Sequence, residues 1–104
     1  MAASRLEALK EFLAQDPTDA TAYYMLGMEY HKAQMHAEAV EAIRRYLAMT
    51  TDEGAAYRVL GQSLERLGRR EEAGHAYRDG LAAARQHGHA PMIAEYEQAL
   101  KELA

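Results

Sequence analysis

Residues 20–53 read ATAYYMLGMEYHKAQMHAEAVEAIRRYLAMTTDE, and residues 54–87 read GAAYRVLGQSLERLGRREEAGHAYRDGLAAARQH. Ten of the aligned positions are identical, whereas composition alone would give roughly three. In the numbering of the first segment they are Ala22, Tyr23, Leu26, Gly27, Glu38, Ala39, Ala42, Arg44, Leu47 and Ala48. A match at a fixed period of 34 residues predicts a repeat protein whose units stack side by side. Stacked repeats present an open groove, so the pattern favours binding over catalysis.

The hydrophobic pattern predicts six helices, because apolar residues recur with the helical period. The expected helices cover residues 4–15, 20–32, 36–49, 51–67, 69–86 and 90–104. The first and last carry apolar stripes made of Leu6, Leu9, Phe12 and Leu13, and of Ile93, Tyr96, Leu100 and Leu103. Each connection is only a few residues long, so consecutive helices should be antiparallel neighbours.

Local signals predict where helices begin and end. Thr18 or Asp19 can cap the second helix. Thr50 and Glu53 have the spacing of a capping box, which would start the fourth helix near residues 51–52. Gly68 should end that helix in a left-handed conformation.

Gly27 and Gly61 occupy matching positions inside predicted helices, where glycine costs about 1 kcal/mol relative to alanine. Close approach of the paired helix would explain this repeated cost. Ala39 and Ala73 are the matching small residues on the second helix of each pair. We therefore expect small residues to face one another where the helices cross.

These residues, at this spacing, resemble the tetratricopeptide repeat (TPR) family, and the chain looks like a small bacterial-type member. The resemblance implies an all-α fold, an α-solenoid of antiparallel helix pairs in which the first helices line a concave groove. The expected layout is a single domain over residues 1–104. It comprises an N-terminal half-repeat helix (4–17), two full repeats (20–53 and 54–87) and a C-terminal capping helix (90–104).

The chain departs from the family pattern at two places in the first repeat and at one place in the second. The small residue late in the second helix is Tyr46 in the first repeat, although Gly80 keeps it in the second. The closing proline is replaced by Thr51 and by Arg85. Because both positions affect stacking, the sequence leaves the curvature of the array open.

By analogy with the family, the peptide-binding groove should be lined by the first helices of both repeats. The expected site residues are Tyr24, Met25, Met28, His31 and Lys32 in the first repeat and Arg58, Val59, Gln62 and Arg66 in the second. The hypothesis is an adaptable apolar patch of Tyr24, Met25 and Met28, with Arg58 and Arg66 gripping carboxylates. The alternative is that the C-terminal helix or a second copy of the chain covers this patch.

The charge pattern narrows the class of partner. The formal net charge is −4, but residues 54–87 carry four acids and six bases. A mildly basic middle suits an acidic peptide and lacks the broad basic face that nucleic acid requires. No apolar run approaches the ~20 residues that span a bilayer. We therefore expect no nucleic-acid or membrane binding and a cytoplasmic protein.

The residues carry no recognisable catalytic, phosphate-binding or metal-binding motif. Cysteine is absent, and the spacing of the five histidines fixes no converging set of metal ligands. We therefore expect no enzymatic activity, no cofactor and no metal. Two functional hypotheses remain. One is a non-catalytic adaptor or scaffold that binds a peptide or protein segment in its groove, and the other is a self-associating protein that forms a weak homodimer.

Overall fold

The structure is a computed structural model that describes residues 2–104, with side chains described from Arg5 onward. It contains six α-helices: α1 (Ala2–Gln15), α2 (Ala20–Lys32), α3 (His36–Met49), α4 (Ala55–Arg66), α5 (Arg70–His87) and α6 (Ala90–Leu103). Strands are absent from this part of the chain. The prediction of an all-α fold is confirmed.

Helices that follow one another in the chain also pack against one another, from α1 on α2 through to α5 on α6. In addition, α2 contacts α4, so the first helices of the two pairs lie side by side. The resulting stack measures 39 × 28 × 21 Å along its principal axes. This arrangement is an α-solenoid in which the pairs α2–α3 and α4–α5 stand between α1 and α6.

Two buried clusters hold the stack together. The smaller joins α1 to the first pair and contains Leu13, Ala22, Tyr23, Leu26 and Ala42. The larger runs from α3 to α6 and contains Val40, Ile43, Ala56, Val59, Leu60, Leu64, Ala73, Ala76, Tyr77, Ala84 and Tyr96. Phe12, predicted on the buried stripe of α1, is instead 46% exposed. Its neighbour Leu13 lies about 100° further round the helix and takes the buried position.

Gly27 and Gly61 lie where the two helices of each pair approach closely, as predicted. A methyl group at Gly27 would lie 2.5 Å from Cδ1 of Ile43, and one at Gly61 would lie 2.7 Å from Cδ1 of Tyr77. The residue that faces each glycine differs from the expectation. Each glycine makes room for a large side chain one turn beyond the alanine, so a small residue faces a large one at the crossing.

The ends of α2 and α4 follow their local signals. Asp19 caps α2, since its carboxylate accepts a hydrogen bond from the backbone N–H of Ala22 at 2.9 Å. Gly68 adopts a left-handed φ of 76° directly after α4. Both predictions are confirmed.

The predicted capping box at the start of α4 is wrong. The helix begins at Ala55, and the carboxylate of Asp52 accepts hydrogen bonds from the backbone N–H groups of Gly54 and Ala56 at 2.8 and 2.9 Å. Glu53 points elsewhere and contacts Nε2 of His89 at 2.8 Å. A single aspartate therefore replaces the expected Thr–Glu pair.

Tyr96 anchors α6 to the second repeat. It is 1% exposed, its hydroxyl donates to the carbonyl of Gly54, and its ring packs over Gly80. The next residue, Glu97, is exposed and pairs with Arg85 at 3.1 Å. Within the described residues, no helix is both long and apolar enough to cross a membrane.

Candidate binding groove

Two clefts lie along the exposed face of α4. The larger, about 710 Å³, lies between the C-terminal ends of α2 and α4, and the smaller, about 290 Å³, lies between α4 and α6. Both clefts are lined by Gln62 and Glu65. They therefore adjoin one another and form one groove across α2, α4 and α6.

The larger cleft, hereafter the α2–α4 cleft, brings together His31, Lys32, Gln62 and Arg66, four of the residues predicted for the site. They converge because the 34-residue repeat aligns the exposed faces of α2 and α4, which are in contact. Gln34, His36 and Glu65 complete the lining. The apolar patch expected from the sequence does not line this cleft, and the residues that do line it are polar and largely basic.

Two histidines form the wall of the α2–α4 cleft, with ring centroids 5.7 Å apart. Nδ1 of His31 lies 3.1 Å from the hydroxyl oxygen of the fully buried Ser63. Burial lowers the pKa of His31, and electrostatic interaction with His36 and Arg66 acts in the same direction, while a hydrogen bond with Gln62 opposes them. Nδ1 of His36 is buried and has no hydrogen-bonding partner among the described residues, and such an atom costs about 1–3 kcal/mol.

The smaller cleft, hereafter the α4–α6 cleft, contains a contact that the sequence did not reveal. Arg58, predicted to grip a partner's carboxylate, makes two hydrogen bonds to Glu95 of α6, at 2.5 and 2.6 Å. This forked pairing raises the pKa of Arg58. Tyr77 donates its hydroxyl proton to Glu65, and burial together with this carboxylate raises the pKa of Tyr77. Acidic side chains of the protein itself therefore already occupy the Arg58 guanidinium and the Tyr77 hydroxyl of this cleft.

Comparison with known proteins identifies the fold family. The family model described as tetratricopeptide repeat matches residues 1–84, most of the chain. The chain belongs to the tetratricopeptide repeat family. Among solved structures, the solution structure of protein BPP2914 from Bordetella parapertussis is similar, with 28% identity and a TM-score of 0.80 over 94% of this chain and 85% of that one.

The crystal structure of MamA has the same TPR-type fold, with 24% identity and a TM-score of 0.77 over 98% of this chain and 66% of that one. No curated protein matches the sequence. TPR repeats are a fold for protein interaction, and the chain is a repeat module of this fold.

The apolar patch predicted for the TPR groove is partly covered. Tyr24 packs on Tyr46 with ring centroids 5.1 Å apart, and Met28 packs against the larger buried cluster. Val59, also placed in the groove by analogy, is only 4% exposed and belongs to the core. Met25 alone of the three patch residues is exposed, at 37%. Tyr24 and Met28 are partly buried where α2 packs beside α4, so the patch is only partly exposed, and its role in binding stays a prediction.

The histidines of the TPR loops form no recognisable metal centre. His87 and His89 stack with centroids 6.4 Å apart, and His89 contacts Glu53. Over residues 2–104, no group of three or more His, Cys, Asp or Glu side chains is placed to hold an ion.

Proposed function

We propose that this TPR protein is an adaptor that binds an extended segment of a partner protein along the groove formed by α2, α4 and α6. The observation that carries this proposal is the continuity of the two clefts through Gln62 and Glu65. A side chain of the segment would enter the α2–α4 cleft while the following residues cross the exposed turn of α4. The basic lining of that cleft favours an acidic segment over a basic one.

The proposed mode uses polar recognition more than apolar burial. Apart from Tyr77, Tyr96 and Ala99 of the α4–α6 cleft, the described residues that line the two clefts are polar or charged. Short arrays also offer a small contact area, and small polar interfaces are typical of transient complexes. Binding should therefore be reversible and sensitive to salt.

A single bulky substitution tests the groove. Gln62 is exposed on α4 and borders both clefts, so Gln62→Trp should obstruct the proposed path without entering the core. Gln86→Trp, at an exposed position of α5 outside every cleft lining described above, is the matched control. Affinity capture from a lysate of the source organism should retain the same partner with the control and lose it with Gln62→Trp. Equal capture by both variants would contradict the groove.

Self-association is the second candidate, and exposed apolar side chains favour it. Phe12 is 46% exposed on α1, and Met49 is 44% exposed at the end of α3. Sedimentation velocity over a wide range of concentrations separates the two functions. A dimer that dissociates on Phe12→Gln would support the homodimer, whereas a monomer at every concentration would remove it.

A further inference from the structure

We propose that the α2–α4 cleft is an anion-binding subsite, which seats a carboxylate or phosphate group carried by the partner segment. The inference rests on the proposed groove function and specifies the chemistry recognised at one end of it. The contributing side chains come from three helices, so the fold itself assembles the subsite.

Basic groups outnumber acidic ones around this cleft. Lys32 of α2 and Arg66 of α4 carry permanent positive charge, and the imidazoles of His31 and His36 add further nitrogen donors. Among the described residues, Glu65 supplies the only carboxylate in the lining, and it already accepts a hydrogen bond from Tyr77. The local charge therefore attracts an anion and repels a cation.

Arg66 is the central residue of the proposed subsite. The guanidinium groups of Arg44, Arg58 and Arg85 each pair with a carboxylate of another helix. Arg66, by contrast, pairs with no carboxylate in the part of the chain that the structure describes. Its planar fork of N–H groups matches the two oxygens of a carboxylate or phosphate. The guanidinium of Arg66 can therefore bind the anionic group of a ligand in the groove.

Lys32 and Gln62 extend the same site. The ammonium group of Lys32 lies 3.5 Å from Glu29, but the lysine side chain is 69% exposed, so water weakens that pair and leaves Lys32 able to turn toward a ligand. Gln62 is exposed between the two clefts and can donate through its amide. An anion held by Arg66 therefore has further donors on both sides.

Small peptides of defined charge test the subsite directly. The probes are acetyl-triglutamate amide and acetyl-phosphoserine amide, with acetyl-triglutamine amide as the neutral control. In NMR titrations at neutral pH, the side-chain signals of His31, His36 and Arg66 should shift and saturate with at least one anionic probe. The stronger of the two probes identifies carboxylate or phosphate as the source of the anion.

Two substitutions assign the effect to the cleft. Arg66→Gln should weaken binding about tenfold or more, because a charge-assisted hydrogen bond is lost, and Lys32→Gln should weaken it less. Arg78→Gln removes an equally exposed arginine on α5, which contacts His75 and not the cleft, and should leave binding unchanged. A bound anion should also raise the pKa of His31, since it stabilises the imidazolium form, and the ring-proton titration measures this.

Three results would overturn the subsite: no saturable shift with either anion, equal shifts with the neutral peptide, or unchanged binding in a folded Arg66→Gln protein. The groove function fails separately. A captured partner that is lost with Gln62→Trp but retained with Arg66→Gln would leave the groove in place and remove the anion subsite.

Discussion

The first repeat and the second end in different ways, although they are aligned throughout. Tyr46 in α3 aligns with Gly80 in α5. The ring of Tyr46 fills the space beside Tyr24, and its hydroxyl donates to Asp52 at 2.7 Å. Gly80 instead leaves space for Tyr96, which reaches in from α6. The first junction is thus filled by its own repeat, and the second by the helix that follows.

The second helices of the two repeats also differ in length. α3 ends at Met49, whereas α5 continues to His87, four residues beyond the aligned position. Thr50 and Thr51 are β-branched and poor helix formers, and Asp52 then caps α4. The aligned residues 84–86 are Ala-Arg-Gln, which favour helix. The longer α5 is accompanied by a longer spacing to α6, because Ile93, Tyr96 and Leu100 follow Tyr57, Leu60 and Leu64 by 36 residues instead of 34.

The largest expected effect lies at the second junction. A methyl group at Gly80 would lie 2.6 Å from Cζ of Tyr96 and 2.8 Å from Cβ of Tyr57. The Cβ of Tyr57 is fixed to the backbone and cannot rotate away. Gly80→Ala should therefore lower the free energy of unfolding by about 3 kcal/mol, measured by urea denaturation followed by circular dichroism.

Gly74→Ala is the matched control on the same helix. There, the added methyl meets only the end of the flexible Arg78 side chain, at 3.5 Å. It should raise stability by up to ~1 kcal/mol through helix propensity. If both substitutions have the same effect, the second junction does not depend on the space at Gly80.

Substitution of the glycine at the helix crossing should also destabilise the second repeat more than the first. At Gly61 the added methyl meets the rigid, buried ring of Tyr77, whereas at Gly27 it meets Cδ1 and Cγ1 of Ile43, a smaller buried side chain. We expect Gly61→Ala to cost about 2 kcal/mol and Gly27→Ala about 1 kcal/mol. Thermal and urea unfolding of both variants would measure the order, and a reversed order would show that the first crossing is the tighter one.

The cap of α4 belongs to the first junction alone. Asp52 accepts hydrogen bonds from Tyr46, Gly54 and Ala56, so Asp52→Ala should destabilise by about 1–2 kcal/mol. The aligned residue of the second repeat is Gln86, exposed within α5. Gln86→Ala should change stability by less than about 0.5 kcal/mol. Equal unfolding midpoints for the two variants would mean that Asp52 has no special role.

The sequence predicted those features that the repeat period and the helical period determine. Six helices, the close approach at Gly27 and Gly61 and the convergence of His31 with Arg66 all follow from which residues share a helix face. The start of α4 could not be predicted in this way. The carboxylate of Asp52, which binds the first turn of α4, also accepts a hydrogen bond from the hydroxyl of Tyr46 in α3. Sequence spacing alone does not show such a contact.

The remaining errors in the groove have a related cause. Whether Tyr24 and Val59 are exposed depends on how far α2 leans on α4, and helical periodicity does not fix that angle. The pairing of Arg58 with Glu95 likewise depends on the relative position of α4 and α6, which the longer α5 changes. Faces were predictable, whereas the packing between faces was not.

The turn between the two helices of a repeat contains a residue with positive φ in both repeats, and the two aligned residues can be exchanged by mutation. Gln34 adopts a left-handed φ of 61°, and the aligned Gly68 has a φ of 76°. Glycine tolerates this conformation, while a residue with a side chain is strained by about 1 kcal/mol. Gln34→Gly should stabilise and Gly68→Gln should destabilise, each by about 1 kcal/mol or less. Shifts of the same sign in urea unfolding would show that the two turns are not equivalent.

The smallest effect concerns His31, whose aligned residue in the second repeat is Glu65. The lowered pKa of His31 means that the folded state favours the neutral imidazole. The unfolded state therefore binds more protons below about pH 6.5, and stability falls as the pH decreases through that range toward the lowered value. In His31→Gln, the melting temperature should fall less between pH 7.5 and pH 5.5 than in the wild type. The control is His75→Gln, which removes an exposed histidine from α5. An unaltered pH dependence in His31→Gln would show that burial of the His31 imidazole beside His36 and Arg66 has no influence on folding.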